Sequence, residues 1–155
     1  MENHRFNRIL LAVDNGPCTE KAIKYAKDLV HMFNSTLALI TVLPASAGSS
    51  MTVDPVLGQQ PILIPEIMDI QLDESQSYLA ELAKEFPMAK EVFIFNKVGS
   101  VRDEIIETAA TWTADLIIMG SNGRTGFEHF IVGSVSESVL RRAVCPVLIV
   151  PSKCN

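Results

Sequence analysis

Short runs of consecutive apolar residues alternate along this chain with longer stretches in which apolar positions recur every three or four residues. The runs are Ile9–Asp14 (ILLAVD), Thr36–Leu43 (TLALITVL), Val92–Phe95 (VFIF), Leu116–Met119 (LIIM) and Val147–Val150 (VLIV). Runs this short and this apolar predict strands buried on both faces. Between them, Ala22, Ile23, Ala26, Leu29, Val30 and Phe33 fall at helical spacing with lysines interleaved. The same spacing returns with Ile67, Ile70, Tyr78, Leu79, Leu82 and Phe86, then with Ile105, Ile106 and Ala109, and a last helix is predicted over Ser134–Arg142. Alternation of this kind predicts an α/β fold, a five-stranded parallel sheet with helices on both faces. No linker or repeat divides it, so residues 1–155 are read as a single domain. In such sheets ligands bind beyond the carboxyl ends of the strands, where the strand order reverses.

The connections carry more information than the strands. Residues 44–65 hold Pro44, Pro55, Pro61 and Pro65 with Gly48 and Gly58, and read as a long loop. A connection of that length in a small domain is usually functional or disordered. Asp14 closes the first strand, and a turn follows at Asn15-Gly16-Pro17. Ser100 and Asp103, three apart, give a capping-box-like start to the third helix. Asp115 stands before the fourth strand, where a capping role is expected, and Trp112 reads as a helix-end packing residue.

Gly120-Ser121-Asn122-Gly123 follows the fourth strand, and Gly133-Ser134-Val135-Ser136 opens the next helix. Glycines let backbone turn tightly and approach a ligand closely. Free N–H groups and the dipole at a helix start favour an anion. Ser134 and Ser136 add hydroxyl donors. Glycine is common in strand-to-helix loops for purely structural reasons, but here the spacing falls between a strand and a helix, where a phosphate site has to be.

Composition bounds the partners. Hydrophobic residues make up 48% and charged residues 20%, which suits a globular core. A net charge of −5 disfavours nucleic acid, since no surplus of Lys and Arg displaces counterions. No run reaches the 18 or so apolar residues of a membrane helix. The polar Met1–Arg8 leads directly into a strand, so no signal peptide is expected. Cys18, Cys145 and Cys154 make no disulfide framework, and a cytoplasmic location is the simplest reading. His4, His31 and His129 lack ligand spacing, so no metal site from protein ligands alone is expected; any Mg²⁺ would arrive on a nucleotide. A Gly-x4-Gly-Lys-Ser/Thr loop and a Gly-x-Ser-x-Gly elbow are both absent from the sequence.

Gly120-x2-Gly123-x9-Gly133-Ser134 resembles the nucleotide-binding signature of the ATP-binding universal stress proteins. ILLAVD, Val98-Gly99, DLIIMGSNGRTG and CPVLIVP extend that resemblance over nearly the whole chain. It implies a Rossmann-like, adenine nucleotide alpha hydrolase-like sheet, ATP as ligand, a regulatory stress-response role with little or no turnover, and a homodimer. The last strand, Val147–Val150, is the expected dimer edge. Backbone at Asp14 and Val42, with Ala12 nearby, would hold the adenine. Met119, Gly120, Asn122, Gly123, Gly133, Ser134, Val135 and Ser136 would hold ribose and phosphates. Two departures stand out: Asn15-Gly16-Pro17-Cys18 where the family commonly has Gly-Ser after the Asp, and Asn122 where it often has His. An interaction protein with an empty pocket, and a slow ATPase or nucleotidyl transferase, are the alternative readings. The absence of a recognisable base, nucleophile or charged phosphate clamp argues against the enzymes.

Overall fold

The structure, a computed structural model, describes residues 6–16, 19–45, 65–121 and 133–151. In chain order these form β1 (Arg8–Ala12), α1 (Thr19–Phe33), β2 (Thr36–Pro44), α2 (Pro65–Ala83), β3 (Val92–Gly99), α3 (Val101–Thr111), β4 (Leu116–Gly120), α4 (Ser134–Arg142) and β5 (Val147–Val150). All strand pairs are parallel, in the order β3-β2-β1-β4-β5. The chain first builds outward from β1 through β2 to β3, then crosses back to β4, so the order reverses between β1 and β4.

Side chains of successive strand residues point to opposite faces, and the apolar runs fill both. Ile9, Leu11, Leu37, Leu39, Leu116 and Ile118 face α1 and α2, meeting Ala22, Ala26, Val30, Leu79, Leu82 and Phe86. Leu10, Ala38, Ile40, Ile117 and Met119 face the other way, onto Ile105, Ala109 and Trp112 of α3 and its cap and onto Val139 of α4. The two core layers on either side of one sheet explain why the strands show no apolar–polar alternation.

One strand outruns its apolar pattern. The apolar run suggests an end at Phe95, yet β3 continues through Asn96, Lys97 and Val98 to Gly99. It is carried there by pairing with β2, which matches Thr41 to Asn96 and Pro44 to Gly99. As an edge strand β3 keeps one side open, so polar residues are tolerated within it.

Asp115 ties the amino ends of two strands together. Its carboxylate accepts the N–H groups of Asn7 and Arg8, each at 2.9 Å, while its own N–H donates to the Arg8 carbonyl at 2.8 Å. Trp112 ends α3, buried, with the Arg8 guanidinium 4.1 Å from its ring centroid and Phe93 and Phe95 set edge-on to it. Ser100 is the N-cap of α3 but makes no side-chain bond to the helix backbone. Its hydroxyl instead supports the Asp103 carboxylate, a different use of the pair from the capping box. Cys145 is a free, half-buried thiol, pushed up in pKa first by burial and then by Asp115. Residues 46–64 of the long loop, Cys18 and Cys154 lie outside the described residues, as do His4 and His129.

Candidate functional site

Backbone emerging from β1 is held to β2 beyond the end of the strand. The Val13 N–H donates to the Ile40 carbonyl at 2.9 Å, and the buried Thr41 hydroxyl donates to the Val13 carbonyl at 2.7 Å. Asp14 then turns its side chain back on its own loop. Its Oδ1 accepts the Gly16 N–H at 3.1 Å, and the Thr19 hydroxyl reaches both that carboxylate and the Asp14 carbonyl. A Cβ on Gly16 would lie 2.9 Å from Asp14 Oδ1, so the missing side chain makes room for this turn. The Asp14 carboxylate therefore fixes the start of α1.

Across the sheet switch, β4 delivers Gly120 to the start of α4. Gly133 is the N-cap, with no side chain to occupy the helix end, and its N–H donates to the Ser121 carbonyl at 2.7 Å. The Ser136 hydroxyl, expected from sequence to serve a ligand, donates to the Gly120 carbonyl at 2.9 Å. Ser136 is buried, and its hydroxyl pins the helix to the strand end. The anion-attracting groups are the first-turn N–H groups of Ser134, Val135 and Ser136, which have no intrahelical acceptor.

Both strand ends open on one cavity of about 490 Å³. Ala12, Asp14 and Val42 line one part of it, and Met119, Gly120, Gly133, Ser134, Val135 and Ser136 another. Nine of the eleven residues singled out from sequence thus meet at one place; Asn122 and Gly123 lie outside the described residues, as does Arg124. Ile40, Val101 and Ile105 add apolar walls. No Lys or Arg is among the described residues lining the cavity, and the carboxylates there are Asp14 and Glu74. Among the described residues no group of three or more His, Cys, Asp or Glu is placed to hold a metal.

One wall went unread in the sequence. Gln71, Glu74, Ser75 and Tyr78 of α2 all line the cavity. Their spacing of three, four and seven residues is a polar stripe on one helix face, beside the apolar stripe that ends in Leu79 and Leu82. Counting Tyr78 with the apolar positions hid it. Ser75 donates to Asn96 Oδ1 at 2.9 Å, and Asn96 Nδ2 donates to the Leu72 carbonyl at 3.0 Å, which locks this turn of α2 onto β3. Burial pushes the Tyr78 hydroxyl above its ordinary value, and the Asp14 and Glu85 carboxylates add to the shift. It therefore stays a neutral donor, 3.4 Å from the Asp14 carbonyl.

The family model described as "Universal stress protein family" matches residues 5–151. The chain belongs to the universal stress protein family. Universal stress protein MJ0531 of Methanocaldococcus jannaschii is 30% identical over 145 residues, covering 94% of this chain and 82% of the relative. Universal stress protein A homolog 2 of Coxiella burnetii is 31% identical over 156 residues and 99% of each chain. Among solved structures, hypothetical protein MJ0577 superposes with a TM-score of 0.80 at 25% identity, covering 97% of this chain and 99% of its own. UspA of Lactobacillus plantarum gives 0.78 at 22% identity over 94% and 98%. A further universal stress protein, described as in complex with cAMP, matches with a TM-score of 0.62 at 20% identity over 96% and 99%. These structures share the five-stranded fold of this family member. No helix among the described residues is long and apolar enough to cross a membrane.

Proposed function

We propose that this universal stress protein binds ATP in the crevice between β1 and β4 and acts as a regulator with little or no turnover. The observation that carries the reading is a convergence. Asp14, Val42 and the first turn of α4, whose amides have no intrahelical acceptor, line the same cavity, and Ile40, Val101 and Ile105 give it apolar walls. Amides at a helix start suit phosphate, and an apolar slot bordered by backbone donors and acceptors suits a planar base. The solved relative described with cAMP supports a nucleotide in this fold and makes cAMP the natural comparison ligand. With no Lys or Arg among the described lining residues, phosphate charge is met by backbone N–H groups and by any Mg²⁺ that arrives on the nucleotide. Asp14 is engaged with Gly16 and Thr19, which leaves it poorly placed as a general base and favours binding without turnover. The protein is further proposed to work in the cytoplasm as a homodimer joined along β5.

Gly133→Val tests the site. Gly133 has φ −70°, which valine adopts freely, so the fold survives while a branched Cβ intrudes at the helix end. Calorimetry should show ATP affinity reduced at least about tenfold with the melting temperature nearly unchanged. Unchanged affinity for ATP would rule this site out.

A further inference from the structure

Gln71 carries a side-chain oxygen that is buried and meets no hydrogen-bond partner among the described residues. Desolvating an amide oxygen without a partner is unfavourable, and native proteins leave few such groups without a use. Gln71 lines the large cavity from α2. Its neighbour one turn on, Ser75, is fastened through Asn96 to β3, so the wall that bears Gln71 is fixed.

The sheet order decides which part of a ligand Gln71 would meet. α2 packs on β2 and β3, on one side of the strand switch. The amides of Ser134–Ser136 belong to α4, which packs on β5 at the other side. A nucleotide whose phosphates lie at α4 therefore directs its base toward Val42 and α2. Resting on the nucleotide-binding reading above, we infer that Gln71 is a specificity-determining residue for the base, its Oε1 accepting an N–H from the exocyclic amino group of adenine. That amino group has two N–H donors. One of them needs an acceptor on this wall, which the unpartnered Oε1 of Gln71 supplies. Glu74, on the same stripe and nearly a full turn on, adds negative potential that favours a donor edge over a carbonyl edge at this end of the cavity.

A ligand–protein double-mutant cycle tests this. Calorimetry on the full chain compares ATP with purine riboside triphosphate, which has hydrogen in place of the amino group, against wild type, Q71L and Q71E. In wild type, ATP should bind about tenfold more tightly than the analogue. In Q71L, ATP affinity should fall by about the same factor while the analogue is unaffected, which closes the gap. Q71E, which keeps an acceptor, should retain the preference for ATP. Equal weakening of both ligands in Q71L would show that Gln71 only supports the wall, and would overturn the inference while leaving ATP binding intact. A wild-type preference that survives in Q71L would overturn it too. Failure of wild type to bind either triphosphate would instead sink the nucleotide reading, and the role of Gln71 with it.

Discussion

Among the described residues, two outside glycine hold left-handed backbone, Asn34 at φ 53° and Thr113 at φ 55°, and they do the same job. Each follows a helix and lets the next N–H reach back: Ser35 to the Val30 carbonyl at 3.1 Å, and Ala114 to the Ala109 carbonyl at 2.8 Å. That closing motif wants Gly or Asn at the turning position. α1 has the asparagine, whereas α3 has a β-branched threonine, for which the conformation is strained. Thr113 is exposed and its hydroxyl donates only to the adjacent Trp112 carbonyl. Thr113→Asn should therefore stabilise the protein by roughly 0.5–1 kcal/mol in urea unfolding. A midpoint that stays put or falls would show that the threonine hydroxyl matters more than the strain. Residue identity could not reveal any of this, because threonine is ordinary at most loop positions. Ser136 makes a similar point: its type suggested a ligand donor, and only the position of the Gly120 carbonyl assigned its proton elsewhere.

At the scale of elements, α3 and α4 pack on the same face of the sheet and are linked by Arg142, whose guanidinium meets Asp103 at 2.7 Å. The Ser100 hydroxyl first, and Arg142 after it, hold the Asp103 carboxyl below the ordinary carboxylate range of about 3.8. Its folded pKa is depressed, so the ionised form is favoured by the native state. The contribution is present above the unfolded pKa and is lost as the pH falls below about 4, through the folded value. Wild type should thus be more stable than Asp103→Asn near neutral pH, with the difference shrinking as acid protonates the wild-type carboxylate. Denaturation midpoints for both proteins between pH 7 and pH 3 check it, and a difference independent of pH would contradict the assignment. Solvent screening keeps the effect small. The same two helices show how far the sequence reached: it placed both, but the ion pair between them joins residues 39 apart and has no local signature.

For the whole molecule, β5 is the feature that bears on assembly. Among the described residues it is an edge strand, paired only with β4, and the exposed Val144 and Leu140 lie near it in sequence or on α4, which packs on it. Val144 is 76% exposed just before the strand, an unusual setting for valine. Pairing of β5 with its copy in a second chain would extend the sheet and cover these residues. Wild type should sediment as a dimer at micromolar concentration, and Val144→Asp should shift it toward monomer with an unchanged circular dichroism spectrum. A monomeric wild type would refute the dimer. Leu148 is a poorer probe, because it packs against the core beneath α1 and its replacement would test folding instead of pairing.

The sequence by itself determined the fold class, the five strands, the four helices and the glycine-bearing segments at the crevice. It could do so because strand burial is written in short unbroken apolar runs and helix amphipathicity in a 3.6-residue period, both among neighbouring residues. Even the family was legible, since its signature spans a single strand–loop–helix unit. The reversal of strand order between β1 and β4 came only from tertiary structure, and it is what places Asp14 against Gly120. The continuation of β3 to Gly99 came from pairing with β2, not from its own residues. The polar stripe of α2 became a cavity wall only through the packing of Leu79 and Leu82 on the sheet and the Ser75–Asn96 bond to β3. These features depend on contacts between residues distant in sequence, where partners are chosen by packing geometry and hydrogen-bond satisfaction, and no local pattern records that choice.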